Sequence, residues 1–128
     1  MPALGLTNDL AVLTVLSNDV SFDVVFSRQI GAFGRRGDIA VAISISGGSS
    51  NVLARSRRPT GPGLVTVGLA GYGGGRMAEL PALHYLFAVP SSSVHRVQEV
   101  QTTRYHVLWE ATRAALTSRA PPRVTSPA

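Results

Sequence analysis

The chain has 128 residues, 45% of them apolar and 15% charged. That is enough apolar surface for one hydrophobic core, and it argues against disorder over the whole length. Cysteine is absent, lysine is absent and the net charge is +5, which excludes disulfides, thiol nucleophiles, Schiff-base lysines and a P-loop lysine.

In chain order the pattern predicts alternating strands and helices. Ala3 to Thr7 is short and apolar and reads as a buried strand. Asp9 is a helix-capping type ahead of Leu10, Val12, Leu13 and Leu16. Ser21 can cap a second helix with Phe22, Val25, Phe26, Ile30 and Phe33 on one face, and Gly34 ends it. Ile39 to Ile43 is a continuous apolar run, the pattern of a strand covered on both faces. It closes in Ser44-Ile45-Ser46-Gly47-Gly48-Ser49-Ser50-Asn51, after which Val52 begins a helix. Pro59, Gly61, Pro62 and Gly63 predict that this helix stops near Arg57, because an interior Pro costs about 3 kcal/mol. Leu64 to Leu69 is the next strand, followed by Gly71, Gly73, Gly74 and Gly75 and a short helix from Arg76 to Leu80. A last strand at Tyr85 to Val89 leads through Pro90 and three serines into a long helix from about Val94 to Leu116. One domain over 1–117 is expected, with a mobile tail rich in Pro, Arg and Ser over 118–128.

Strands alternating with helices imply an α/β fold with a parallel sheet, whose ligands sit at the carboxyl ends of the strands. The serine- and glycine-rich loop after Ile43 stands at such an end. Its hydroxyls and backbone N–H groups suit a phosphate, and Gly47 and Gly48 permit close approach. The bland alternative is a polar turn with a serine cap. The loop lacks the Gly-Lys-Ser/Thr of a Walker motif, and no ribose-binding acid follows the later glycines at dinucleotide spacing. The arginines are scattered, with no aromatic residues interleaved, which argues against nucleic acid. No apolar run reaches the ~18 residues of a membrane helix, and Met1 to Gly5 has no basic signal region. A cytoplasmic protein is expected.

Ser44 to Val52 resembles the Ser-Thr-Ser-Gly-Asn-Ser loop of the sugar isomerase (SIS) domain family. Asn18-Asp19 with Ser21-Phe22 and Val25 to Arg28, Gly37-Asp38, Val67 to Gly71, Gly74 to Ala78, and Arg96-Val97-Gln98-Glu99 with His106 resemble further motifs of its phosphoheptose isomerase subgroup, in the same order. The resemblance implies a three-layer, flavodoxin-like parallel sheet. It also implies that the chain starts at the family's second strand, so that the family's first strand and N-terminal helices, with their Asn-Gly-Gly-Ser loop and His-x-x-x-Glu, are missing. Ser44, Ser46 and Ser49 would hold the substrate phosphate. Asn18 and Asp19 would contact the sugar chain. Gln98 would contact substrate and ligate zinc, and His106 would be a zinc ligand or the general base. Residue spacing alone puts Gln98 and His106 about 12 Å apart along a helix and does not suggest a shared metal. Ile45 and Gly48 depart from the family's Thr and Asn, and Gln101 stands where some members carry a histidine. His84 and His95 match no family position; His84 reads as a strand-edge residue and His95 as a surface residue in the first turn of the long helix.

The expected activity is aldose–ketose isomerisation of sedoheptulose 7-phosphate, weak or absent in this chain because the family's glutamate is missing. A tetramer is the expected homo-oligomer. The alternative is a non-catalytic SIS module that binds a phosphosugar or a protein partner such as a replication initiator. Without the first strand, the Ile39 strand is expected to have an unpaired edge.

Overall fold

A computed structural model describes residues 2–54 and 63–118. Within them, α1 (Leu10–Asp19) is followed by a 3-10 turn (Phe22–Val24), α2 (Val25–Phe33), β1 (Ile39–Ser44) and α3 (Ser50–Leu53). Then come β2 (Val65–Ala70), a second 3-10 segment (Tyr72–Glu79), β3 (Tyr85–Ala88) and α4 (Val94–Ser118). The three strands form one parallel sheet in the order β1-β2-β3. The α/β class and the parallel sheet expected from the sequence are both present.

The local signals act where the sequence put them. Asp9 Oδ1 accepts from the Val12 N–H at 3.0 Å and caps α1. Ser21 Oγ accepts from the Asp23 N–H at 3.1 Å and starts the 3-10 turn that leads into α2. Gly34 ends α2, its N–H donating to Ile30 O. The strand expected at Ala3–Thr7 is not formed: the segment has no regular structure up to Gly5 and then turns, and Leu4 is exposed. Among the described residues no strand lies beside it to pair its backbone, and an unpaired strand gains neither ladder bonds nor burial.

β1 is a strand, but it is not covered on both faces. Successive side chains alternate across the sheet. Ala42 faces the core of Leu53, Ala70 and Met77, whereas Ile39, Val41 and Ile43 are 59, 56 and 53% exposed. Tyr85 and Phe87 are exposed as well. In register they share a face with Val67 and Leu69 of β2, opposite Val41 and Ile43. That side of the sheet is covered only in part. Phe22 and Phe33 likewise point outward, while Val25 of the same helix face is buried.

α4 explains why. Its 25 residues span about 37 Å, whereas β2, at six residues, spans about 20 Å. Its buried residues, Val97 and Gln101, both lie in its first half. There Gln101 Nε2 donates to Leu69 O at 3.3 Å and Arg104 Nη2 to Ala88 O at 3.2 Å. Beyond them Val107, Trp109 and Leu116 are exposed. α3 is four residues long as described; the expected end near Arg57 and the tail from 119 onward lie outside the described residues.

Candidate functional site

The serine loop runs from the carboxyl end of β1 into α3, where the topology of a parallel sheet places ligands. Ser44, the last residue of β1, is 4% exposed, and its Oγ lies 3.0 Å from Ser49 Oγ. Ser46 is exposed in the same turn, and its Oγ accepts from the Gly48 N–H at 3.1 Å. The structure thus gathers Ser44, Ser46 and Ser49 into one turn. Ser49 makes no side-chain cap bond to α3; its hydroxyl is shared with Ser44 instead. A four-residue helix contributes little dipole, so the hydroxyls matter more here than a helix N-terminus.

The loop is braced from behind by the glycine segment after β2. Gly47 has φ +64°, and a Cβ there would overlap the Gly74 carbonyl oxygen. The Met77 N–H donates to Gly47 O at 2.8 Å, and the Gly71 N–H to Ile45 O at 2.9 Å. A Cβ at Gly71 would lie 2.5 Å from Val97 Cγ2, so the start of α4 closes on the same corner. Gly47 and Gly71 are therefore needed where two backbones and a helix meet. Between Gly71 and Gly73, Tyr72 has φ +51°. It is the only non-glycine residue in the left-handed region among the described residues, a conformation that costs of order 1 kcal/mol or more.

The other expected site residues are disposed less tightly. Asn18 and Asp19 end α1 and are exposed. They are joined to the loop through the segment that follows them: Ser50 Oγ donates to Asp23 Oδ1 at 2.5 Å. Gln98 and His106 are both exposed on α4, and His106 contacts the Tyr105 ring, the centroids 4.4 Å apart. Gln98 follows Val97 at the corner beside Gly71, and His106 lies about two turns further along the helix. Among the described residues no group of three or more His, Asp or Glu side chains is placed to hold a metal. Gln98 and His106 do not make a zinc site by themselves, since a tetrahedral site needs four donors. His84 and His95 are exposed, as expected.

Sequence reasoning missed Asp23. Its partner lies 27 residues away, and no local spacing rule reaches that far. Gln29 was missed as well: it is buried in α2, and its Nε2 donates to Leu6 O at 3.1 Å and to Val25 O at 3.0 Å, tying down the N-terminal segment.

This parallel sheet, with its serine loop at the end of one strand and a braced glycine turn after the next, is the α/β fold of the SIS type. No protein-family profile matches the chain, but individual relatives do. A phosphoheptose isomerase of Desulfovibrio desulfuricans is 47% identical over 112 residues, covering 88% of this chain and 52% of that protein. A phosphoheptose isomerase of Aquifex aeolicus is 40% identical over 110 residues, covering 86% of this chain and 56% of that one. The structure of a phosphoheptose isomerase from Neisseria gonorrhoeae superposes with a TM-score of 0.81 at 34% identity, over 88% of this chain and 61% of that chain. The chain is a homologue of the phosphoheptose isomerases, and it spans about half the length of the curated relatives it matches.

Proposed function

We propose that this chain binds the phosphate of a phosphorylated sugar, of the sedoheptulose 7-phosphate class, in the serine loop, and serves aldose–ketose isomerisation. The observation that carries the reading is the Ser44–Ser49 pair at the carboxyl end of β1, held by the Gly47–Gly74 contact. Hydroxyls gathered in one turn can supply neutral donors to a phosphate oxygen. Asn18, Asp19 and Gln98 are the proposed contacts to the sugar, and His106 the proposed general base.

Isomerisation moves a proton between C1 and C2 through an enediol. It needs an acid and a base at those carbons and donors for the developing oxyanion. His106 is exposed and two turns from the corner that holds Gln98, so this chain alone is proposed to bind without efficient turnover. Zinc enters the proposal only as a weak ligand of Gln98 and His106. Stoichiometric zinc that survives dialysis against a chelator would overturn that part.

The chain is further proposed to self-associate through the outward apolar residues of α4, Val107 and Trp109, and to work in the cytoplasm. No helix among the described residues is long and apolar enough to cross a membrane. Titration calorimetry with sedoheptulose 7-phosphate, paired with a turnover assay on the full chain, tests the reading. Binding with turnover far below the ordinary range of about 1 per second is the expected result. No binding at all overturns the phosphosugar reading. Turnover at about that rate overturns the claim that this chain lacks a competent acid–base pair.

A further inference from the structure

Two hydrogen-bonded pieces of chain meet at the serine loop. In the first, the Val20 and Ser21 N–H groups both donate to Leu16 O, at 3.2 and 2.9 Å, closing the end of α1. Ser21 Oγ then accepts from the Asp23 N–H. Asn18, Asp19 and Asp23 therefore belong to one closed turn. The second piece is the loop itself, Ser44 to Ser50, pinned by the Ser44–Ser49 contact and by Met77 on Gly47. The bond that joins them runs from Ser50 Oγ to Asp23 Oδ1.

The geometry points to Asp23 as a positioning residue that sets the distance between the phosphate-holding hydroxyls and the residues reaching along the sugar chain. This inference rests on the phosphosugar reading above. Asp23 does not act as a ligand itself: an ionised carboxylate only accepts, and it repels a phosphate. Its bond commits the Ser50 proton, which leaves the cradle to Ser46 and to whichever of Ser44 and Ser49 does not donate in their mutual bond. Both residues lie at the surface, and α3 also packs on α2 and the 3-10 turn. Breaking the bond therefore loosens the spacing of the two pieces without removing the core contacts of α3. Inorganic phosphate touches one piece only, and a phosphosugar spans both.

The test is calorimetry on the full chain with inorganic phosphate and with sedoheptulose 7-phosphate. The variants are Asp23→Ala, Ser50→Ala, the double variant and Asp23→Asn. Asp23→Ala and Ser50→Ala should each weaken sugar-phosphate binding about five-fold more than phosphate binding, the scale of one lost hydrogen bond. The double variant should lose no more than either single, because all three remove the same bond. Asp23→Asn should keep the ratio of the two affinities within about two-fold, since the amide oxygen still accepts from Ser50. A ratio unchanged in both Asp23→Ala and Ser50→Ala, or losses that add in the double variant, overturns the positioning role and leaves the phosphosugar reading standing. A parent chain that binds neither ligand overturns the reading and, with it, this inference. Ser50→Ala changes one exposed hydroxyl and carries the test where Asp23→Ala fails to fold.

Discussion

The serine-loop corner and the α1 helix both carry apolar side chains, yet they are held in opposite ways. At the corner, Leu53 is 1% exposed and packs with Ala70 and Met77, and two backbone segments interlock at Gly47, Gly71 and Gly74 with Val97 of α4 against them. α1 reads Leu-Ala-Val-Leu-Thr-Val-Leu, but none of its residues is buried and Leu10 is 71% exposed. Apolar character stabilises only when another surface removes it from water. At the corner Ala42, Val52, Leu80, Leu83 and Leu86 supply such a surface. α1 packs chiefly on α2 and the 3-10 turn.

The largest expected contrast comes from matched truncations. Leu53→Ala should cost about 2–5 kcal/mol, the range for a buried leucine, while Leu10→Ala should stay within about 0.5 kcal/mol. Urea unfolding of both variants measures this, and equal losses would mean that α1 is covered in solution.

The glycine brace gives the next contrast. Gly47→Ala forces a Cβ into the Gly74 carbonyl, whereas a Cβ at Gly73, also at positive φ, meets nothing within 4 Å. Gly73→Ala should cost about 1–2 kcal/mol of backbone strain. Gly47→Ala should cost that strain plus the 1–3 kcal/mol typical of overpacking. Thermal melts that rank them the other way would remove the brace from the account.

Within the corner, Ser44→Ala and Ser46→Ala should each weaken phosphosugar binding by about 1–2 kcal/mol, the scale of a hydrogen bond to a charged group. Unchanged affinity in both variants would show that the phosphate is held elsewhere. The smallest effect on stability is expected on the outward face of α4. Trp109→Ser should change unfolding free energy by less than about 0.5 kcal/mol while lowering the mass seen by light scattering at micromolar concentration. A parent chain that scatters as a monomer would break the self-association proposal.

Much of the fold could be read from the residues. The alternation of apolar runs with Ser, Asp and Gly punctuation located all three strands and every helix longer than a turn, because caps and periodicity are local. Asp9, Ser21 and Gly34 act at the ends predicted for them. The serine loop was legible for the same reason: its hydroxyls are neighbours in sequence before they are neighbours in space.

Cover was not legible, and pairing was not legible in the apolar runs themselves; the family resemblance alone predicted the open edge of β1. Ala3–Thr7 and Ile39–Ile43 both look like buried strands, since an apolar run carries no mark of whether a neighbour will arrive. The first stays unpaired and forms no strand. Among the described residues the second pairs with β2 alone, and it shows one face to solvent. Tertiary structure alone brought Asp23 to Ser50, Gln101 to the Leu69 carbonyl and Gly47 against Gly74. The sequence by itself determined the α/β alternation and the chemistry of the loop, because both depend on residues within a few positions of each other. Which surfaces are buried, and which side chains meet, depends on contacts between residues tens of positions apart, whose closure only the packed sheet decides.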